Sequence, residues 1–100
     1  MTRPAATPTI LVETDRVRVT RWDFPPGAET GWHVHEMDYV VAPVTPLQMR
    51  IEEPGGAERD VSFEPGQAYA REAGVEHNVI NAGDTAMSFI EVELKGRTMA

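Results

Sequence analysis

Nearly every periodic stretch of this chain repeats with period two. In residues 16–22 (RVRVTRW), Val17 and Val19 alternate with Arg16, Arg18 and Thr20. In 47–53 (LQMRIEE), Leu47, Met49 and Ile51 alternate with Gln48, Arg50 and Glu52. In 88–94 (SFIEVEL), Ser88, Ile90, Val92 and Leu94 stand against Phe89, Glu91 and Glu93. Side chains of an extended backbone point to opposite faces in turn, so this alternation predicts strands with one buried and one wet face. Turn-forming clusters separate them: FPPGAETG (24–31), EPGG (53–56), EPG (64–66) and NAGD (81–84). Turns recurring at roughly ten-residue intervals predict an antiparallel sandwich or barrel. No segment offers a three-turn helical stripe, and there is no internal repeat or low-complexity tract. The expectation is an all-β protein with a flexible N-terminal arm over residues 1–8 and a single barrel domain over 9–100.

Composition narrows the function classes. The chain has 100 residues, of which 41% are hydrophobic, and its formal charge is −7. That charge, with no Lys/Arg cluster to break it, argues against nucleic acid as a partner. Cysteine is absent, which removes disulfides, thiol nucleophiles and thiolate metal sites. The longest apolar run, YVVAPV at 39–44, is far short of the ~20 residues a membrane helix needs, and the N-terminus lacks the apolar core of a signal peptide. No membrane partner and a cytoplasmic location are expected. A domain this small buries a limited share of its surface, so a homodimer is expected, with TILVE (9–13) crossing to the partner.

The chain has three histidines: His33 and His35 in GWHVHEMDYV, and His77 in GVEHNVIN. Histidines at i and i+2 of a strand share a face and lie roughly 6–7 Å apart along it. Such a pair can chelate a divalent ion or can be two ordinary hydrogen-bonded side chains.

The surrounding residues bear on the choice. Gly27, five residues on, is followed by His33-Val34-His35. Gly66, after five residues, is followed by Glu72-Ala73-Gly74, then His77 and, four residues later, Asn81. These two segments resemble the paired sequence motifs of the cupin superfamily, and PPGAETGWHVHEMDYVV with AGVEHNVIN looks most like its β-alanine-degradation group. The resemblance covers the chain beyond the arm and implies a jelly-roll barrel (double-stranded β-helix). It also implies that His33, His35 and His77 converge on one metal, which agrees with every histidine of the chain occupying a ligand position.

Two departures from the cupin pattern stand out. The glutamate that usually follows H-x-H as a fourth ligand is replaced by Tyr39 or Val40, preceded by Glu36 and Asp38. Asp38 is a possible displaced ligand, but Tyr39 shares the histidine parity, and Glu36 and Asp38 are expected to face solvent. Glu72 stands where the second motif carries proline, either tuning access to the barrel or simply exposed. Trp22 and Trp32 are expected in core packing rather than lining a cavity. Arg50 is expected to be solvated, Arg71 is a weak candidate for holding a substrate carboxylate, and Asn81 is expected to tie the barrel end.

Three neutral imidazoles leave a divalent ion its full charge, and the three-histidine cupins that this pattern resembles include dioxygenases. The implied cofactor is a divalent ion, Fe(II) ahead of Ni, Zn, Mn or Cu. The implied activity is a dioxygenase-type reaction on a small anionic or enolisable carboxylate or dicarbonyl. Tyr39 is the candidate catalytic residue, donating a hydrogen bond to a metal-bound anion. The alternative is a non-catalytic metal- and metabolite-binding accessory of a catabolic pathway.

Overall fold

The computed structural model describes residues 2–96; Met1 and residues 97–100, which the sequence reading included in the arm and the barrel, lie outside the described residues. The described residues form nine strands: β1 (Thr7–Glu13), β2 (Val17–Phe24), β3 (His33–Val34), β4 (Asp38–Pro43), β5 (Leu47–Glu53), β6 (Ala57–Phe63), β7 (Tyr69–Arg71), β8 (Glu76–Asn81) and β9 (Met87–Leu94). They build two antiparallel sheets, one ordered β1-β2-β9-β4-β7 and the other β3-β8-β5-β6. The chain moves repeatedly between the sheets, and together they enclose the double-stranded β-helix.

Strand β5 follows its sequence pattern: Leu47, Met49 and Ile51 are buried, while Gln48 and Arg50 are exposed. These side chains join Phe24, Val41, Val79, Met87 and Phe89 in the apolar core. Arg50 is held at the surface by Asp60.

In β2 and β9 the inward phase is the less apolar one. Thr20 and Phe24 of β2, and Met87, Phe89 and Glu91 of β9, are buried, whereas Val17, Val19, Ile90 and Val92 are only half-buried. The physical reason is a cavity between the sheets. Its wall tolerates polar groups, so the alternation remains but its meaning inverts.

The N-terminal segment is tied to the barrel. Ala6 N–H donates to Glu29 O at 2.8 Å, and Glu29 N–H to Pro4 O at 3.0 Å. β1 then starts at Thr7, ahead of the alternating stretch, and pairs with β2 through a bulge between Ile10 and Val12. All seven residues of β1, a strand at the sheet's edge, are exposed.

At the end of β8 opposite His77, Asn81 fastens the barrel. Its amide nitrogen donates to Phe24 O, Pro25 O and Thr85 O, and its amide oxygen accepts from Gly83 N–H.

Candidate metal centre

His33 opens β3 and pairs in register with His77 of β8, which brings residues 44 positions apart in sequence directly opposite one another. His35 follows just beyond β3. Its N–H donates to Val75 O and its carbonyl accepts from Gly74 N–H, both at 2.8 Å. These bonds splice the H-x-H segment onto the AGVEH turn. Gly74 has φ 99° and Gly31 φ 89°, backbone conformations that side chains strongly disfavour, so the turns flanking the histidine strands need glycine there.

The approach to His33 is fixed by Asn78. Its side-chain oxygen accepts from Gly31 N–H at 2.9 Å, and its amide nitrogen donates to Glu29 and Glu52. Thr30 adds a backbone bond to Val79 O at 2.9 Å.

The three imidazoles meet through their Nε2 atoms. His33 Nε2 and His35 Nε2 are 3.0 Å apart, and His35 Nε2 and His77 Nε2 3.1 Å. His33 Nδ1 lies 2.8 Å from Gly31 O, and a carbonyl only accepts, so Nδ1 carries the hydrogen and Nε2 presents a lone pair. His35 Nε2 holds at most one hydrogen in the neutral ring, which leaves this nitrogen cluster short of donors. His77 Nδ1 is buried with no partner among the described residues.

Burial, followed by the proximity of His33 and then of other positive groups, pushes His35 down to about 4 and His77 down to about 3. The two rings are therefore neutral at ordinary pH, the state a metal requires of its ligand. Nitrogens about 2.1 Å from a common ion and at right angles to one another stand about 3.0 Å apart, so the donor set fits a divalent metal.

Tyr39 of β4 is 2% exposed and stacks on His35. Its hydroxyl has no hydrogen-bond partner among the described residues, and burial pushes the phenol up to about 12, partly offset by Arg71. Arg71 stands opposite Tyr39 in register on β7 and touches none of the three histidines by hydrogen bond. Asp38 turns away from the cluster and accepts from Ala73 N–H at 2.8 Å. Glu72 is exposed, and Glu36 is exposed at the cavity's rim.

The cluster opens into a cavity of about 480 Å³. Trp22 lines this cavity, contrary to the expectation of packing alone, while also resting on the core. Trp32 departs from the expectation altogether: it is half-exposed, and its indole N–H donates to Glu76 at 2.6 Å. Sequence reasoning missed Glu91. This buried carboxyl lines the cavity from β9 and accepts from Trp22 Nε1 at 3.2 Å; burial pushes it up to about 7. Phe89, the aromatic two residues earlier, was the signal: it marks the inward phase of SFIEVEL, and Glu91 shares it.

Two antiparallel sheets rolled into a double-stranded β-helix, with histidines from a short strand and its partner meeting at one end, define a cupin. The chain belongs to that family: residues 20–93 match the cupin domain. It is similar to the β-alanine degradation protein BauB of Pseudomonas aeruginosa, 52% identical over 93 residues, covering 93% of this chain and 97% of the relative. A crystal structure of a cupin domain from Bordetella pertussis superposes with a TM-score of 0.91 at 50% identity, covering 96% of this chain and 99% of that one. The polyketide cyclase RemF of Streptomyces resistomycificus shares the fold at 22% identity, with a TM-score of 0.72 over 99% of this chain and 73% of its own.

Among the described residues no helix is long and apolar enough to cross a membrane.

Proposed function

We propose that this cupin is a mononuclear metal-dependent enzyme, held together at its reactive end by His33, His35 and His77, with a dioxygenase-type activity on a small carboxylate or dicarbonyl metabolite. The observation that carries the proposal is the convergence of three Nε2 atoms, two of them on buried rings held neutral. Fe(II) is the favoured ion, with Ni, Zn, Mn or Cu as the other candidates for a nitrogen-rich site. When bound, the ion supplies Lewis acidity and open coordination positions.

The chain's own residues do the rest. Gly31 O fixes the tautomer of His33, and Tyr39 presses on the ring face of His35. Tyr39 lines the cavity and carries a buried phenol hydroxyl with no partner among the described residues, suited to hydrogen-bonding an anionic ligand. Similarity to a β-alanine degradation protein supports a place in small amino-acid catabolism, and the acidic, cysteine-free composition is consistent with the cytoplasm. Because BauB is named for a degradation process and not for a reaction, a non-catalytic metal- and metabolite-binding accessory is the second reading.

Metal analysis of untagged protein, followed by oxygen-uptake assays of the iron-loaded form against short carboxylates and 3-oxo acids, separates the two. Uptake that depends on both metal and metabolite is the expected result. Tight metabolite binding without any turnover favours the accessory, and protein that retains no metal overturns both.

A further inference from the structure

The charges lining the cavity are not those that a purely anionic ligand would select. Three carboxyl groups line it, Glu36, Glu91 and Glu93, against one guanidinium, that of Arg18. Arg18 is already engaged, 3.0 Å from Glu13 and 4.0 Å from Glu93.

Glu91 is 8% exposed, faces the cavity, and has neither an ion pair nor any hydrogen bond beyond that from Trp22 among the described residues. A carboxyl group withdrawn from water without a cation is costly, and its raised pKa expresses that cost. As a structural acceptor for the indole alone, a neutral amide would serve as well. Tyr39, which lines the same cavity and is itself buried, carries a second polar group with no partner among the described residues, its hydroxyl. Trp22, Tyr69 and Phe89 complete an aromatic surround of the kind that accommodates ammonium groups.

The position of Glu91 matters as much as its charge. Glu91 and Trp22 belong to the five-stranded sheet, whereas His33 and His77 belong to the four-stranded sheet across the barrel. The cavity therefore has two poles on opposite walls, a nitrogen cluster and an uncompensated carboxyl. We propose that Glu91, steadied by Trp22, is a subsite for a protonated amine, and that the ligand is a short dipolar molecule with its ammonium at Glu91 and a carboxylate at the histidine pole. The carboxylate half of this assignment rests on the metal-centre reading above; the amine half does not.

Calorimetric titration of metal-loaded and metal-free protein with 3-aminopropanoate, propanoate and propylammonium tests it, comparing wild type with Glu91→Gln. Glutamine keeps an acceptor for Trp22. Wild type is expected to bind 3-aminopropanoate at least about tenfold tighter than propanoate, as a charge-assisted contact allows. Glu91→Gln should bring the two within about twofold and leave propanoate unchanged. Propylammonium should bind wild type, loaded or metal-free, and fail to bind the variant; if the metal-centre reading is wrong, this result survives while the metal-dependent carboxylate binding disappears. In wild type alone, the amine ligands, unlike propanoate, should release protons near pH 7, read as buffer-dependent heat. Equal affinity for the amino acid and propanoate, no propylammonium binding, or an unchanged preference in Glu91→Gln overturns the subsite.

Discussion

The phenol ring of Tyr39 lies flat on the imidazole of His35, with ring centroids 3.8 Å apart and planes inclined by 17°. Where the cupin pattern commonly carries a glutamate, this chain thus places an aromatic ring that braces His35. The ring and the hydroxyl have separable roles. Tyr39→Phe keeps the stack and removes an unpaired buried hydroxyl, so stability should hold or rise by up to about 1 kcal/mol, because an unsatisfied polar group is lost. Metal content should be unchanged, and affinity for an anionic ligand should fall by roughly 1–3 kcal/mol if the hydroxyl donates to it. Tyr39→Leu removes the stack as well and should cost about 2–4 kcal/mol of stability, together with weaker metal binding. Thermal melts and metal titrations of the two variants check this. Loss of metal from Tyr39→Phe would make the phenol oxygen itself a ligand.

Alanine at His33, His35 or His77 should each strip the metal, since each ring supplies one of three converging nitrogens. Metal-to-protein ratios of the three purified variants read this directly, and full occupancy in any one removes that residue from the site.

Acid should destabilise the metal-free protein through His35 and His77. Both have folded pKa values lowered from 6.5, to about 4 and about 3, chiefly by burial. Their unfolded imidazoles take up protons first, so stability is present above about pH 6.5 and is lost as pH falls toward 4, on the order of 1.4 kcal/mol per unit for each ring. Urea melts between pH 4 and 8 should show this slope, and it should be shallower in His77→Gln.

Glu91 runs the other way. Its folded pKa is raised from 4.5 to about 7 by burial, so its contribution is fully present below pH 4.5 and is lost as pH rises through 7. Glu91→Gln should therefore be more stable than wild type at pH 8, by roughly 2–3 kcal/mol, and the difference should vanish near pH 4.5. A constant difference across that range would show that the carboxyl titrates normally.

We propose that β1 is covered by a second copy of the chain. The strand is an unprotected edge on which Ile10 is 57% exposed, with Leu11 and Val12 beside it. Val12 also begins a row of aligned small apolar residues, Val12, Val19, Val92, Val40 and Ala70, that crosses all five strands of the sheet. Light scattering at micromolar concentration should report a dimer, and Leu11→Lys with Val12→Lys should shift it to monomer. A monomeric wild-type mass would refute the interface.

The histidine cluster was legible because its spacing survives in the sequence as two short glycine-punctuated motifs, and β5 was legible because one of its faces is fully dry. Glu91 and Trp22 were not. Period-two alternation sorts side chains into two faces but cannot say that the inner face borders a cavity, so a glutamate on that face looks solvent-bound. Trp32 failed for a related reason. Its indole is satisfied by Glu76 across the β3–β8 pair, a partner 44 residues away that no local pattern reveals.

Asn81 stitches together the chain near Phe24, Pro25, Gly83 and Thr85 at one end of β8, while Val34 and Glu36 stand exposed at the cavity's other end, with Met37 half-buried beside them and no side-chain hydrogen bonds on any of the three. One end is therefore a knot whose loss would free several turns at once, and the other is a rim bearing no side-chain hydrogen bonds, where single exchanges can reshape the cavity mouth without loosening the scaffold that holds the histidines.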